Sequence, residues 1–300
     1  MEESRARVWW IGARPRTLGA GLVPVVVGTA AAGHVIWWRF GAALLVALGL
    51  QAGVNYANDF FDGVRGVDTS ARLGPPRLTS GGMASPRAVA AAALGCIAVA
   101  GFAGLALASA TTWWLLPIGA AAMAALALYS GGPRPYGSLG LGELSVFLFF
   151  GLMATAGSAY VQVQRVPAAA WWSGAAMGLL AVAILMANNV RDVPTDALGG
   201  KRTLAVRLGE RRARRLYRAT IVAAFAVVPI GVAVFIASEP VGITQWSLFA
   251  LAAWPLAIRP METIGRGSGR ELIPVLTGTA ATHAAFGLLL ALGLALSHTV

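Results

Sequence analysis

Asn55, Asn58, Asp59 and Asp62 follow Gln51 at intervals of 4, 3, 1 and 3, in a stretch that ends NYANDFFDGVRGVD. On a helix such residues share a face, with neighbouring side chains about 5–6 Å apart. The chain holds only 12 acidic residues, yet Asp59, Asp62 and Asp68 all fall here. A second polar segment, NNVRDVPTDALGGKRTLAVRLG, spans residues 188–209. Asn188 and Asp192 are one turn apart in it. Pro194 is expected to end the helix at Val193, so that Asp196 comes from the turn beyond, followed by Lys201, Arg202 and Arg207. A third segment, YSGGPRPYGSLGLGE at 129–143, is rich in turn formers and carries Tyr129, Arg134, Tyr136 and Glu143. Mg²⁺ is commonly held by one or two carboxylates, with phosphate oxygens and water completing its shell. Arginine matches phosphate through its planar fork. Two aspartate clusters with Arg77, Lys201 and Arg202 nearby therefore suit a metal-bound diphosphate better than a bare cation.

The elements that must position these residues are membrane helices. The chain of 300 residues is 57% hydrophobic and only 12% charged, with a mean hydropathy of +0.70. Soluble proteins carry about a quarter charged residues. A helix needs roughly 20 apolar residues to cross a bilayer. Nine runs qualify, at about 17–38, 40–61, 86–109, 113–130, 142–161, 171–190, 217–237, 244–258 and 273–297, the eighth being short. The expected fold is all-α, a polytopic membrane protein with about nine transmembrane helices around a central cavity. Ser85 and Pro86 mark one helix start. Tryptophan pairs at 37–38, 113–114 and 171–172 fall at expected water interfaces.

With the N-terminus in the cytoplasm, only Arg39 and Arg165 of the 23 Lys and Arg lie on the outer side. That bias obeys the positive-inside rule, so the net charge of +11 calls for no nucleic acid. Of the acids, only Glu239 lies outside. The N-terminal stretch has neither an apolar core nor a small-residue cleavage pattern, and no removable signal peptide is expected. A single cysteine, Cys96, excludes a disulfide framework within the chain. His34, His283 and His298 offer no ligand pair on one face. The arginine-rich block RLGERRARRLYR at 207–218 reads as an anchor on anionic lipid.

Both acidic segments end an even-numbered helix. The chain is thus expected to be one domain over 1–300, with four-helix pseudo-repeats at about 17–130 and 142–258 and a final helix at 273–297. Repeats with polar sites also build secondary transporters. Here the halves run in parallel order, with both clusters at one surface, which disfavours alternating access. An apolar cavity with a charged mouth suits a polyisoprenyl diphosphate instead. Ionising its allylic C–O bond leaves a carbocation and a diphosphate, whose charge metal ions and fixed donors stabilise.

NDFFDGVRGVD and RDVPTDALGGKRTLAVRLG resemble the paired aspartate motifs of the UbiA superfamily of intramembrane aromatic prenyltransferases. WWIGARPRTLGAGLVPV (9–25), GPPRLTSGGMASP (74–86) and YSGGPRPYGSLGLGELSVFLFFG (129–151) are similar to its naphthoate-prenylating branch. The resemblance covers about residues 9–210. It implies transfer of a polyprenyl chain from its diphosphate to 1,4-dihydroxy-2-naphthoate, with loss of the carboxylate, giving demethylmenaquinone in a bacterial plasma membrane. The alternative within the class is another aromatic acceptor, such as 4-hydroxybenzoate. The resemblance also implies Mg²⁺ as cofactor, held by Asp59, Asp62, Asp192 and Asp196. Asn55, Asn58 and Asn188 would line the site, and Arg77, Lys201 and Arg202 would bind diphosphate. Asp68 would be a further metal ligand, although many members place an aspartate where this chain has Gly66. Many members also have a Tyr-Pro start and a Lys-Arg pair in the third segment. Here Ser130 follows Tyr129 and Arg134 is the only base of that loop, so both are expected to bind substrate, with Tyr129 a candidate for the acceptor side or the cation.

Overall fold

The computed structural model describes residues 5–66, 74, 76–238 and 243–298, and among these there is no strand. A short helix α1 (Arg5–Ala13) precedes the first apolar run. Arg14, with a positive φ of 55°, breaks the chain before α2 (Pro15–Ala31), which opens on a proline. Proline suits that place because its missing N–H has no intrahelical partner there. Then come α3 (Trp37–Val64), α4 (Pro86–Ala110), α5 (Leu115–Ser130) and α6 (Gly142–Val146). A π-helical stretch, Phe147–Met153, joins α6 to α7 (Ala154–Val163). The rest comprises α8 (Ala168–Leu198), α9 (Leu204–Leu208), α10 (Glu210–Ser238), α11 (Trp254–Arg266) and α12 (Ile273–Ser297).

Each of the nine apolar runs carries helix. Among the described residues, six helical stretches are long and apolar enough to cross a membrane, and α5 is a shorter apolar one. The eighth run is not a plain α-helix: it begins as a 3-10 segment, Gln245–Ala253, and continues as α11. With this architecture the chain is a multi-pass membrane protein. Ser85 caps α4 as expected, its side chain accepting from the Ala88 N–H at 3.3 Å.

Pro194 does not end α8, which continues to Leu198. A proline removes one N–H from the ladder but already has helical φ. The Thr195 hydroxyl donates to the Asp192 carbonyl at 3.0 Å. Termination falls instead at Gly199 and Gly200, the latter with φ +75°. Asp196 accordingly lies in the last turn of α8 rather than in a loop beyond it.

The main core joins α2, α8, α10 and α12, around fully buried Met177, Leu180, Tyr217, Phe286 and Leu290. The π segment lies against α8 so closely that a Cβ on Gly151 would meet the Gly178 backbone. Two ends of the bundle are distinct. At one, Arg39 donates to the carbonyls of Val161 (2.9 Å) and Ala110 (3.1 Å), gathering the ends of α7 and α4 beside the start of α3. Trp37, Trp38, Trp113 and Trp114 are exposed at this end. The acidic segments meet at the other.

Candidate active site

Gln51, Asn55, Asn58 and Asp62 line one cavity of about 1230 Å³. Its walls are mostly apolar, with Val46, Leu105, Met123, Phe149 and Phe150 among them, and the π segment supplies the last two. Asp59 departs from this face. At about 100° per residue it lies some 80° round from Gln51, whereas the other three stay within about 40° of Gln51. Its carboxylate accepts from the backbone N–H groups of Leu78 and Thr79, both at 2.8 Å. Asp59 thus clasps the returning loop, which brings Arg77 to the cavity, rather than opening on it.

Asp62 is the meeting point. Its Oδ2 pairs with Arg77 Nη2 at 3.3 Å and with Lys201 Nζ at 2.9 Å. Lys201 is 139 residues away in sequence, so this contact closes the two acidic segments upon each other. Asn188, Asp192, Asp196 and Lys201 line the same cavity. Asp192 is gripped by Arg191 through Nε–Oδ1 and Nη2–Oδ2 bonds, both 2.7 Å. Both residues are buried, at 4% and 8% exposure. Arg191 was not among the sequence candidates. A signal existed, because an arginine at the end of an apolar run needs an acidic or carbonyl partner.

Tyr129 also lines the cavity, edge-on to Tyr136 with ring centroids 5.5 Å apart. The Tyr136 hydroxyl donates to the Ala125 carbonyl at 2.8 Å and lies 2.9 Å from Ser145 Oγ. Burial pushes its pKa up, while the Ser145 bond opposes the shift. Arg134 and Arg202 are exposed and do not line the cavity. Residues 201–203 belong to no helix, and only Lys201 of the two bases lines the cavity. Lys201 turns inward and Arg202 outward. Arg202 acts instead through its backbone, its N–H donating to the Ser138 carbonyl at 3.0 Å. Asp68 lies outside the described residues.

The donor set fits Mg²⁺. Asn55 Nδ2 donates to the Ala13 carbonyl at 2.9 Å. A carbonyl can only accept, so the amide orientation is fixed and Oδ1 is the atom left for the cavity. That oxygen and the carboxylates of Asp62, Asp192 and Asp196 are hard oxygen donors of the kind Mg²⁺ takes. Among the described residues no three Asp, Glu, His or Cys side chains form a closed metal cage.

The chain and its fold both have relatives. Residues 21–271 match the model of the UbiA prenyltransferase family. The chain belongs to that family. It is 46% identical to the 1,4-dihydroxy-2-naphthoate octaprenyltransferase of Mycobacterium tuberculosis, over 90% of this chain and 91% of that one. It is 34% identical to the Escherichia coli enzyme of the same name, over 86% and 90%. Among solved structures, it resembles a UbiA homolog from Aeropyrum pernix K1 with a TM-score of 0.69, at 18% identity over 93% of this chain and 98% of that one. It also resembles a UbiA homolog from Archaeoglobus fulgidus bound to DMAPP and Mg²⁺. There the TM-score is 0.65, at 18% identity over 94% and 98%. At that identity the UbiA homologs speak for the fold alone.

Proposed function

We propose that the protein transfers a polyprenyl chain from its diphosphate to 1,4-dihydroxy-2-naphthoate, as the names of its relatives suggest. The observation that carries this reading is the Asp62–Lys201 pair at 2.9 Å. It joins two acidic, basic-rimmed segments at the mouth of one long apolar cavity. A diphosphate head belongs at that mouth and a hydrocarbon tail along the apolar walls. Arg77 and Lys201 bind diphosphate oxygens. Asp62, Asp192, Asp196 and Asn55 Oδ1 would hold Mg²⁺ in ones or twos, with diphosphate oxygens completing its shell, and the bound metal would neutralise the departing diphosphate. Arg191 fixes the orientation of Asp192. Apolar residues exclude water, which would otherwise quench the allylic cation. The Tyr129 ring offers that cation a π face.

The reaction balances without an oxidant. The allylic C–O pair leaves with diphosphate, the electron-rich ring attacks the cation, and the ring carboxylate departs as CO₂. Exchange of CO₂ for a prenyl cation is redox-neutral and consumes no net proton. The immediate product is therefore the quinol form of demethylmenaquinone. The charge distribution supports a bacterial plasma-membrane enzyme with its N-terminus and site at the cytoplasmic face. The alike ends of α3 and α8 support one domain of two four-helix repeats and a final helix. Purified protein should convert a prenyl diphosphate and 1,4-dihydroxy-2-naphthoate to prenylated product and CO₂, as read by mass analysis. Chelation should abolish turnover and Mg²⁺ restore it. Full turnover in excess chelator would sink the metal assignment, and preferred prenylation of 4-hydroxybenzoate with its carboxylate retained would move the acceptor.

A further inference from the structure

Glu143 is not accounted for by the diphosphate cluster. It sits in the first turn of α6, where a carboxylate is favoured by the helix dipole. Glu143 is nonetheless buried, at 7% exposure. Its Oε1 accepts from Asn189 Nδ2 at 2.8 Å, across 46 residues of sequence. Asn189 lines the cavity and Glu143 stands behind it. That carboxyl oxygen can only accept, so the amide of Asn189 has one orientation. With Nδ2 so engaged, Oδ1 is the acceptor that Asn189 can offer the cavity it lines. Tyr129, whose phenol lies within electrostatic reach of both Glu143 and Asp62, ties this wall to the diphosphate mouth.

We propose that Asn189 accepts a phenolic O–H of the aromatic substrate, and that Glu143 is the positioning residue holding Asn189 Oδ1 toward it. The inference rests on the prenyl-transfer reading above and adds the site of the acceptor. A neutral amide acceptor suits a substrate that exchanges CO₂ for the prenyl group, since no net proton has to be taken up. It orients the ring by its hydroxyl and leaves the attacking carbon free. Glu143 needs no contact with substrate. Without it, the Asn189 amide is free to rotate and to present its N–H₂ instead.

The test uses the full chain in detergent or vesicles, with 1,4-dihydroxy-2-naphthoate and its mono-O-methyl ethers as acceptors. Asn189→Leu should raise the acceptor KM about tenfold, the equivalent of one hydrogen bond of roughly 1.4 kcal/mol. KM for prenyl diphosphate should stay put. Wild type should discriminate against one of the ethers, and Asn189→Leu should lose that discrimination. Glu143→Leu should behave like Asn189→Leu, and the double variant should be no worse than either, because one residue acts through the other. Glu143→Gln, whose carbonyl can still accept from Asn189, should recover part of the loss. Unchanged acceptor KM in Asn189→Leu with ether discrimination intact would overturn the assignment, as would additive losses in the double variant. A wild type that ignores the naphthoate but prenylates another phenol would overturn the acceptor named above. The same variants, assayed on that phenol and its ether, would then decide this inference separately.

Discussion

The ends of α3 and α8 read alike, each an apolar helix finishing in asparagine and aspartates, yet their carboxylates are used differently. On α3, Asp59 is spent on backbone N–H groups of the returning loop, and Asp62 is shared between Arg77 and Lys201. On α8, Asp192 is gripped by its own neighbour Arg191, while the following base, Lys201, crosses to the α3 side. The two acid clusters are therefore not equivalent halves facing across a gap. One end builds the loop and the crossing, and the other is braced locally.

Asp62→Asn tests the crossing directly and should have the largest effect. It keeps size, removes the charge proposed to bind metal, and weakens the hold on both bases. A contribution made where charge develops is worth about 2–4 kcal/mol, so turnover should fall about a hundredfold or more. Membrane insertion and helix content should persist. Wild-type turnover in a correctly inserted variant would refute the role of Asp62.

Asp192→Asn should fall between chemistry and structure. The amide still offers Arg191 one oxygen but loses the second bond to a buried guanidinium. Thermal unfolding should register a loss of about 1–3 kcal/mol, together with a fall in turnover smaller than that of Asp62→Asn. A variant that loses activity without any loss of stability would show that Arg191 braces nothing.

How much of this was legible in the sequence depends on the range of the cause. The apolar runs were legible because bilayer thickness sets their length, and the cavity-facing set Gln51, Asn55, Asn58 and Asp62 because helical periodicity is local. Asp59 was not, since its partners at 78 and 79 arrive by a tertiary return of the chain. Lys201 and Arg202 looked interchangeable until tertiary contacts sent Lys201 to Asp62 and tied the Arg202 backbone to Ser138. Pro194 misled because a proline near a helix end costs only one hydrogen bond. α1 was missed as a helix too short to span. It nevertheless covers the end of α3, where Tyr56 donates to the Trp9 carbonyl at 2.7 Å.

Asp59→Asn separates the loop clasp from the metal site. One amide oxygen can serve only one of the two N–H groups in the present geometry, and the amide N–H₂ would face the other. The expected loss is about 1–3 kcal/mol of stability, with a raised KM for prenyl diphosphate because Arg77 is carried by that loop. Turnover at saturating substrate should fall less than in Asp62→Asn. Equal losses in both variants would mean that the two aspartates act together on the metal, as the sequence resemblance implies.

The smallest effect is expected in the arginine block of α10, where the same contrast between gripped and free side chains recurs. Arg214 donates to the Ile264 and Gly267 carbonyls and pairs with Glu210. It thereby ties the start of α10 to the end of α11. Arg212, two residues earlier, is exposed. Arg214→Gln removes donors from carbonyls at a helix end and should lower stability by about 1 kcal/mol. Arg212→Gln should change stability by less than about 0.5 kcal/mol, as exposed substitutions usually do. Its turnover should match wild type, and only attraction to anionic lipid should weaken, by roughly 1 kcal/mol per charge removed. Vesicles with and without anionic lipid would read that difference. A marked loss of turnover in Arg212→Gln would bring the arginine block into the diphosphate site and end the distinction between braced and solvent-facing bases.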